Sequence, residues 1–235
     1  MKEINKIKKL SGWIFFIPIV VLNLCLFISV NYSLFDNTIF AVDPIGRIGF
    51  TIPYIDGGVS ISRTARTFPT YFLFKPGMII TAILLIKYWI YNNNVILRID
   101  NEHQKNKYFL FFGIASAVFL ILHAIFLGIK FEHDLYKFFR RFVIFSFIIF
   151  ELVAQTMLVI NIYKIKKKIP ELINERILTI KIILVSVLII SALCSLPFLV
   201  TSGHTHFKHA LEWNYFVAIV SFYLLSFLFW RRSKT

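Results

Sequence analysis

Glu151 is the residue whose type and position most demand a chemical role. It sits in the middle of an apolar stretch, 142–163, where burying a carboxylate costs about 2.5–3.5 kcal/mol on insertion scales. Such a side chain must face protein or water and must have partners. Gln155, four residues on, shares its helix face and extends any network built on it. His123 is the expected partner. Glu151 lies about 15 Å along its helix from Arg141, and His123 about 10 Å below Lys130 in the preceding apolar stretch. The short connection 131–140 makes the two stretches antiparallel neighbours. A carboxylate–imidazole pair at that depth can bind a polar head group or move a proton. Its plainer role is to glue two helices together.

A polar rim is expected above this pair. Glu132, His133, Asp134, Arg140 and Arg141 flank one outer connection. The other carries His204, His206, Lys208, His209, Glu212, Trp213 and Asn214. His206, His209 and Glu212 recur at i, i+3, i+6 if the last helix begins early. Such a set can ligate a metal, act as an acid–base pair or bind a lipid head group. No HExxH pattern or cysteine–histidine spacing supports a metal, and none is assigned. Gly-x-Ser-x-Gly elbows, phosphate loops and dinucleotide fingerprints are also lacking, so no cofactor is expected and no catalytic residue is named.

The elements that must position these residues follow from composition. Hydrophobic residues make up 58% of the 235 and charged residues 16%, against about 45–50% and roughly 25% in soluble domains. Disorder, collagen and coiled coil fail the same comparison, with 27 Phe and only 9 Gly. The expected fold is an all-α integral membrane bundle, one polytopic domain over 1–235. Six stretches are long enough to span: 12–32, 71–91, 108–130, 142–163, 178–200 and 215–230. Trp13, Tyr32, Tyr71, Tyr108, Tyr163, Tyr215 and Trp230 mark their ends, as interfacial aromatics do. The first stretch is too long for a signal peptide's apolar region and no small-residue cleavage site follows it.

Charge sets the expected orientation. With both termini inside, 17 of the 26 Lys and Arg fall on inner segments: four before the first span, four around the second turn, six from Lys164 to Lys181 and three at the end. That bias places both termini in the cytoplasm. The inner cluster Lys164, Lys166, Lys167 and Lys168 is a candidate contact for anionic lipid, or simply a topology signal. The net charge of +14 lies in short clusters at span ends, which does not suit nucleic acid. Cys25 and Cys194 lie inside apolar runs and read as small buried hydrophobes.

The outer loop 33–70 carries Pro44, Gly46, Gly49, Pro53, Gly57, Gly58 and Pro69. Its stretches 49–55 and 59–62 suggest a short hairpin around Asp56-Gly57-Gly58. Its aromatic and aliphatic content predicts a folded cap over the bundle.

Two motifs carry a resemblance. The outer loop reads Ile52-Pro53-Tyr54-Ile55-Asp56-Gly57-Gly58 and then Thr67-Phe68-Pro69-Thr70-Tyr71-Phe72-Leu73-Phe74; the last outer turn reads His209-Ala210-Leu211-Glu212-Trp213-Asn214-Tyr215-Phe216. From first span to last, this resembles the Frag/DRAM/Sfk family of six-span proteins, which includes autophagy modulators and factors for remodelling glycosylphosphatidylinositol lipid anchors. Pro53, Ile55 and Pro69 resemble its loop pattern, Glu151 an acidic position in its fourth span, and Glu212-Trp213 the Glu–aromatic pair opening its sixth. Thr70 stands where that family often has an acid after the second proline.

The expected function is recognition, organisation or remodelling of a polar membrane lipid through an outer-side cavity, with acyl chains held among the Phe-rich helices. His123, Glu151, Gln155, His204, His206, His209, Glu212 and Trp213 are the head-group candidates. A membrane acyl hydrolase or transferase, using a His–carboxylate pair or metal, is the alternative from another class. A scaffold with a basic inner face is the third. The expected partners are membrane lipids.

Overall fold

The computed structural model of the chain describes residues 2–43, 46–100, 108–129, 134–201 and 203–231. Seven helices are formed within them: α1 (Lys2–Val30), α2 (Ile61–Ala65), α3 (Tyr71–Ile99), α4 (Tyr108–Phe126), α5 (Asp134–Ile165), α6 (Glu175–Val200) and α7 (Thr205–Phe229). All but α2 are long and apolar enough to cross a membrane. The chain is therefore a multi-pass integral membrane protein with an all-α, six-span bundle. Helices are the form the sequence must take there, because each satisfies its own backbone where no water can. Only 22–44% of each span's most apolar window is buried in protein, so the remainder faces lipid.

Each spanning helix packs on the next, and α7 returns to α1, so the six close into a ring. Close approach between α3 and α4 is set by Gly113, where a Cβ would collide with the ring of Trp89. Small residues take that role where helices associate in lipid. On one face lie the start of α1 and the end of α7. There Lys8 Nζ donates to the Trp230 carbonyl at 2.9 Å, and an antiparallel bridge joins Ile173 to Trp230. This is the terminal face, and the opposite one is the capped face.

The spans agree with the expected ones in number and order but differ at their ends. Helix α3 continues to Ile99, α5 begins at Asp134 rather than 142, and α7 begins at Thr205 rather than 215. Polar residues at these ends continue the helix beyond the apolar core, since the backbone bonds persist into the interface.

The cap contains no hairpin, and no strand is formed among the described residues. Instead Asp56 captures the segment: its carboxylate accepts from Thr51 Oγ1 (2.6 Å) and from the amides of Ile52 and Gly58 (both 2.8 Å). Those amides would have served a strand ladder, and a local Asx bond competes with it. Chain reversal follows as a coil over 52–58, and Ser60 then caps α2 by accepting from the Arg63 amide.

Candidate functional site

The ring's interior is polar. Glu151 on α5 is 1% exposed. Its Oε2 accepts from Ser116 Oγ on α4 at 2.7 Å. Its Oε1 accepts from Gln155 Nε2 at 2.9 Å and from the Tyr223 hydroxyl on α7. Three donors from three helices surround the carboxyl group and satisfy its oxygens where no water reaches them. Gln155 Nε2 also reaches the Ile219 carbonyl at 3.3 Å. The i, i+4 spacing of Glu151 and Gln155 thus works as expected from the sequence.

A second cluster lies nearer the terminal face. Lys181 on α6 donates to Ser226 Oγ on α7 at 2.8 Å, and the Tyr88 hydroxyl on α3 meets the same oxygen at 2.9 Å. Ser226 itself donates to the Phe222 carbonyl, so the Tyr88 hydroxyl is the donor to Ser226. Lys181 Nζ stands 3.9 Å from the centre of the Phe222 ring and 5.4 Å from that of Phe229, so ring faces enclose it on the sides that serine does not. Tyr88 and Tyr223 join the clusters, their rings edge to face at 5.0 Å. No ion pair holds Glu151 or Lys181 among the described residues. An acid and a base therefore share one interior through hydroxyls. The arrangement can hold a polar group and pass protons between hydroxyl and carboxylate. Gln155 Oε1, Trp89 Nε1 and Asn161 Nδ2 are among the atoms of the bundle that are buried without a partner.

His123 does not join Glu151. Its ring lies edge to face on Phe74, with centroids 6.2 Å apart. The registration of α4 on α5 is fixed by Ser116 against Glu151, and His123 is two turns further along α4, about 10 Å away. The expected depth was measured from Arg141, but α5 starts two turns earlier, at Asp134. Glu151 is correspondingly deeper than the sequence distance implied.

The expected rim is also spoken for. His206 Nδ1 donates to the Asp56 carbonyl (3.1 Å) and His209 Nδ1 to that of Gly57 (2.9 Å); a carbonyl only accepts, so each Nδ1 carries a proton. The Glu212 carboxylate stands against the first turn of α2, at Ile61 and Ser62. Trp213 Nε1 donates to Val59 O (2.9 Å), Asn214 Nδ2 to Tyr54 O (2.7 Å), and Tyr54 packs edge to face on Trp213. These side chains clamp the cap onto α7. His204 takes the left-handed position before α7 (φ 54°) and faces Phe198. Gly57 also has positive φ, +62°, and a Cβ there would collide with the backbone of His206. Glu132 and His133 lie outside the described residues. Among those described, no group of three His, Cys, Asp or Glu is placed to hold a metal ion.

In the basic cluster, Lys168 pairs with Asp100 at 3.3 Å and Lys166 covers the Tyr163 ring at 4.3 Å, while Lys164 and Lys167 are exposed. Sequence reasoning missed Lys181, Ser226, Tyr88, Tyr223 and Ser116. Lys181 stands inside the apolar run 178–200 and not among the flanking cations, and that intrusion is the available signal. The hydroxyls gave none, because Ser and Tyr are ordinary residues within a span.

Comparison with protein-family models, with curated proteins and with solved structures finds no match to this chain.

Proposed function

We propose that this protein handles a polar membrane lipid, in the manner of the Frag/DRAM/Sfk proteins it resembles, with the head group received at the Glu151–Gln155–Tyr223 interior. The observation that carries the reading is the donor-ringed Glu151 with the open Gln155 Oε1 beside it: a place in the bundle where a hydroxyl or amine would complete the hydrogen bonding. Helix α7 supplies the route. It bears the cap-binding residues at one end and Tyr223 and Ser226 at the other, so lifting the cap and loosening α7 would admit a head group while its chains stay in lipid. The outer histidines, Glu212 and Trp213 then act on the lipid through the cap.

In this reading the terminal face is cytoplasmic. In a background lacking Cys25 and Cys194, cysteine at Thr205 labels from outside and cysteine at Lys167 only after permeabilisation. The reverse pattern overturns the orientation.

Native mass spectrometry from mild detergent tests the function. The unaltered chain should carry bound lipid. Glu151→Gln, which keeps shape and exchanges one acceptor oxygen for a donor, should shed it while remaining folded. Equal lipid retention in that variant counts against the site.

A second reading, an acyl hydrolase or transferase, draws on the 2.8 Å contact of Lys181 with Ser226, since a lysine can serve a serine nucleophile as base. Both side chains are fully enclosed and Ser226 directs its hydrogen at Phe222 O. Release of fatty acid from an ester lipid, abolished in Ser226→Ala with lipid still bound, would select this reading.

A further inference from the structure

The terminal face has a polar recess of its own, separate from the interior and from the cluster 164–168. It is an open hollow of about 570 Å³ lined by Pro170, Ile173, Asn174, Glu175, Arg176 and Arg231. Backbone pairing builds it. Asn174 N donates to Phe229 O and Arg231 N to Leu172 O, both at 2.9 Å, so the residue leaving α7 is held against the chain entering α6. Two arginines remote in sequence thereby face one space. Neither is in an ion pair among the described residues, unlike Lys168, which Asp100 engages. Asn174 caps α6 by accepting from the Arg176 amide at 3.1 Å, and the helix's positive end adds to the field in the recess.

The surface that leads out of the recess is apolar and follows one helix face. From Arg176 the positions Ile180, Ile183, Val187 and Ile190 fall within a narrow arc of α6. All four are open to the surroundings, at 45%, 55%, 52% and 60% exposure. Trp230 and Tyr163, at the ends of α7 and α5, place the recess at head-group depth. A pair of guanidiniums at that depth, continuous with a greasy stripe running into the membrane, is complementary to a molecule with a phosphate at one end and long chains at the other.

We propose that this recess binds an anionic phospholipid, its phosphate between Arg176 and Arg231 and an acyl chain along Ile180, Ile183, Val187 and Ile190. Guanidinium is the fitting group, because its planar donors meet two phosphate oxygens at once. Glu175 lines the same recess and opposes the anion, which gives the proposal a test of sign. The site stands on the terminal face alone and does not depend on lipid entering the interior.

The full chain in mild detergent is titrated with phosphatidylglycerol, with phosphatidylcholine of the same chains and with inorganic phosphate, and bound lipid is counted by native mass spectrometry. Phosphatidylglycerol should bind in preference to phosphatidylcholine, and inorganic phosphate should not displace it. Arg176→Gln and Arg231→Gln should each weaken phosphatidylglycerol about fivefold, whereas Glu175→Gln should strengthen it. The pair Lys9→Gln with Lys87→Gln removes as much charge as the two arginines together, from exposed positions of α1 and α3 outside the recess, and should leave binding unchanged. Melting of each variant, all altered at surface positions, confirms that folded protein is compared. Equal binding of the two lipids, equal loss in the lysine pair, or unchanged binding in the double arginine variant would overturn the site. Displacement by inorganic phosphate would mean that a free anion, not a lipid, is the ligand.

Discussion

The interior of the ring and the cap on α7 hold themselves together by different kinds of bond. In the interior, side chains from α3, α4, α5, α6 and α7 mostly bond one another: Ser116 and Tyr223 to Glu151, Tyr88 and Lys181 to Ser226. At the cap, side chains of α7 bond to backbone: His206 to Asp56 O, His209 to Gly57 O, Trp213 to Val59 O, Asn214 to Tyr54 O. Helical backbone inside a bilayer is already paired and offers nothing to a neighbour, so helices there must join through side chains. Loop backbone has unpaired carbonyls and must find donors if it is to be buried. The interior is therefore sensitive to side-chain type, and the cap to the path of the chain.

The largest effect should come from Glu151→Leu. It leaves three buried donors without their acceptor, and partial regrouping onto Gly113 O and Ile219 O limits the loss to about 3 kcal/mol. Thermal unfolding in one detergent measures it; a loss under ~1 kcal/mol would show that the donors need no carboxylate. Gly57→Ala comes next, at about 2 kcal/mol, and acts only on the cap: Trp213 emission should shift to the red while the interior variant's melting profile is not reproduced. An unshifted emission would mean that the cap stays seated without the tight turn. Trp213→Phe keeps the ring against Tyr54 and removes one donor from Val59 O, for roughly 1 kcal/mol. Proteolysis within 54–62 should rise in that variant, and an unchanged rate would discard the clamp.

Smaller again is the response of the cap to acid. The Thr51 hydroxyl first, then the amides of Gly58 and Ile52, hold the Asp56 carboxyl below its ordinary value of 3.8. A depressed carboxyl stabilises the fold above its unfolded pKa, and that contribution is lost as pH falls through the folded one. Trp213 emission should thus begin to shift only below about pH 4, and Asp56→Asn should remove that part of the pH dependence. Least of all is the coupling between His123 and Glu151. With about 10 Å between their levels, His123→Leu and Glu151→Leu should add to within ~0.5 kcal/mol; a larger departure would bring the two side chains back into contact.

The sequence by itself determined the class, the number of spans and the need of Glu151 for partners inside the bundle. Those conclusions rest on one-dimensional quantities: about 20 apolar residues cross a bilayer in any order, and a carboxylate among them is costly wherever its partner comes from. The contact of Gln155 with Glu151 was legible for the same reason, since i, i+4 neighbours meet within a single helix. Which residue answers Glu151 from another helix was decided by tertiary structure alone. Depth counted from Arg141 pointed to His123, but helices slide to the register at which their side chains fit, and Ser116 against Glu151, with Gly113 beneath Trp89, set a different one. The rim histidines looked like ligands because loop residues of that type often are; His206 and His209 became part of a clamp when α7 began at Thr205 and brought the Asp56 and Gly57 carbonyls within their reach. Lys181 carried no mark of its partner either, because Ser226 and Tyr88 come to it only when α7 closes the ring against α1 and α6.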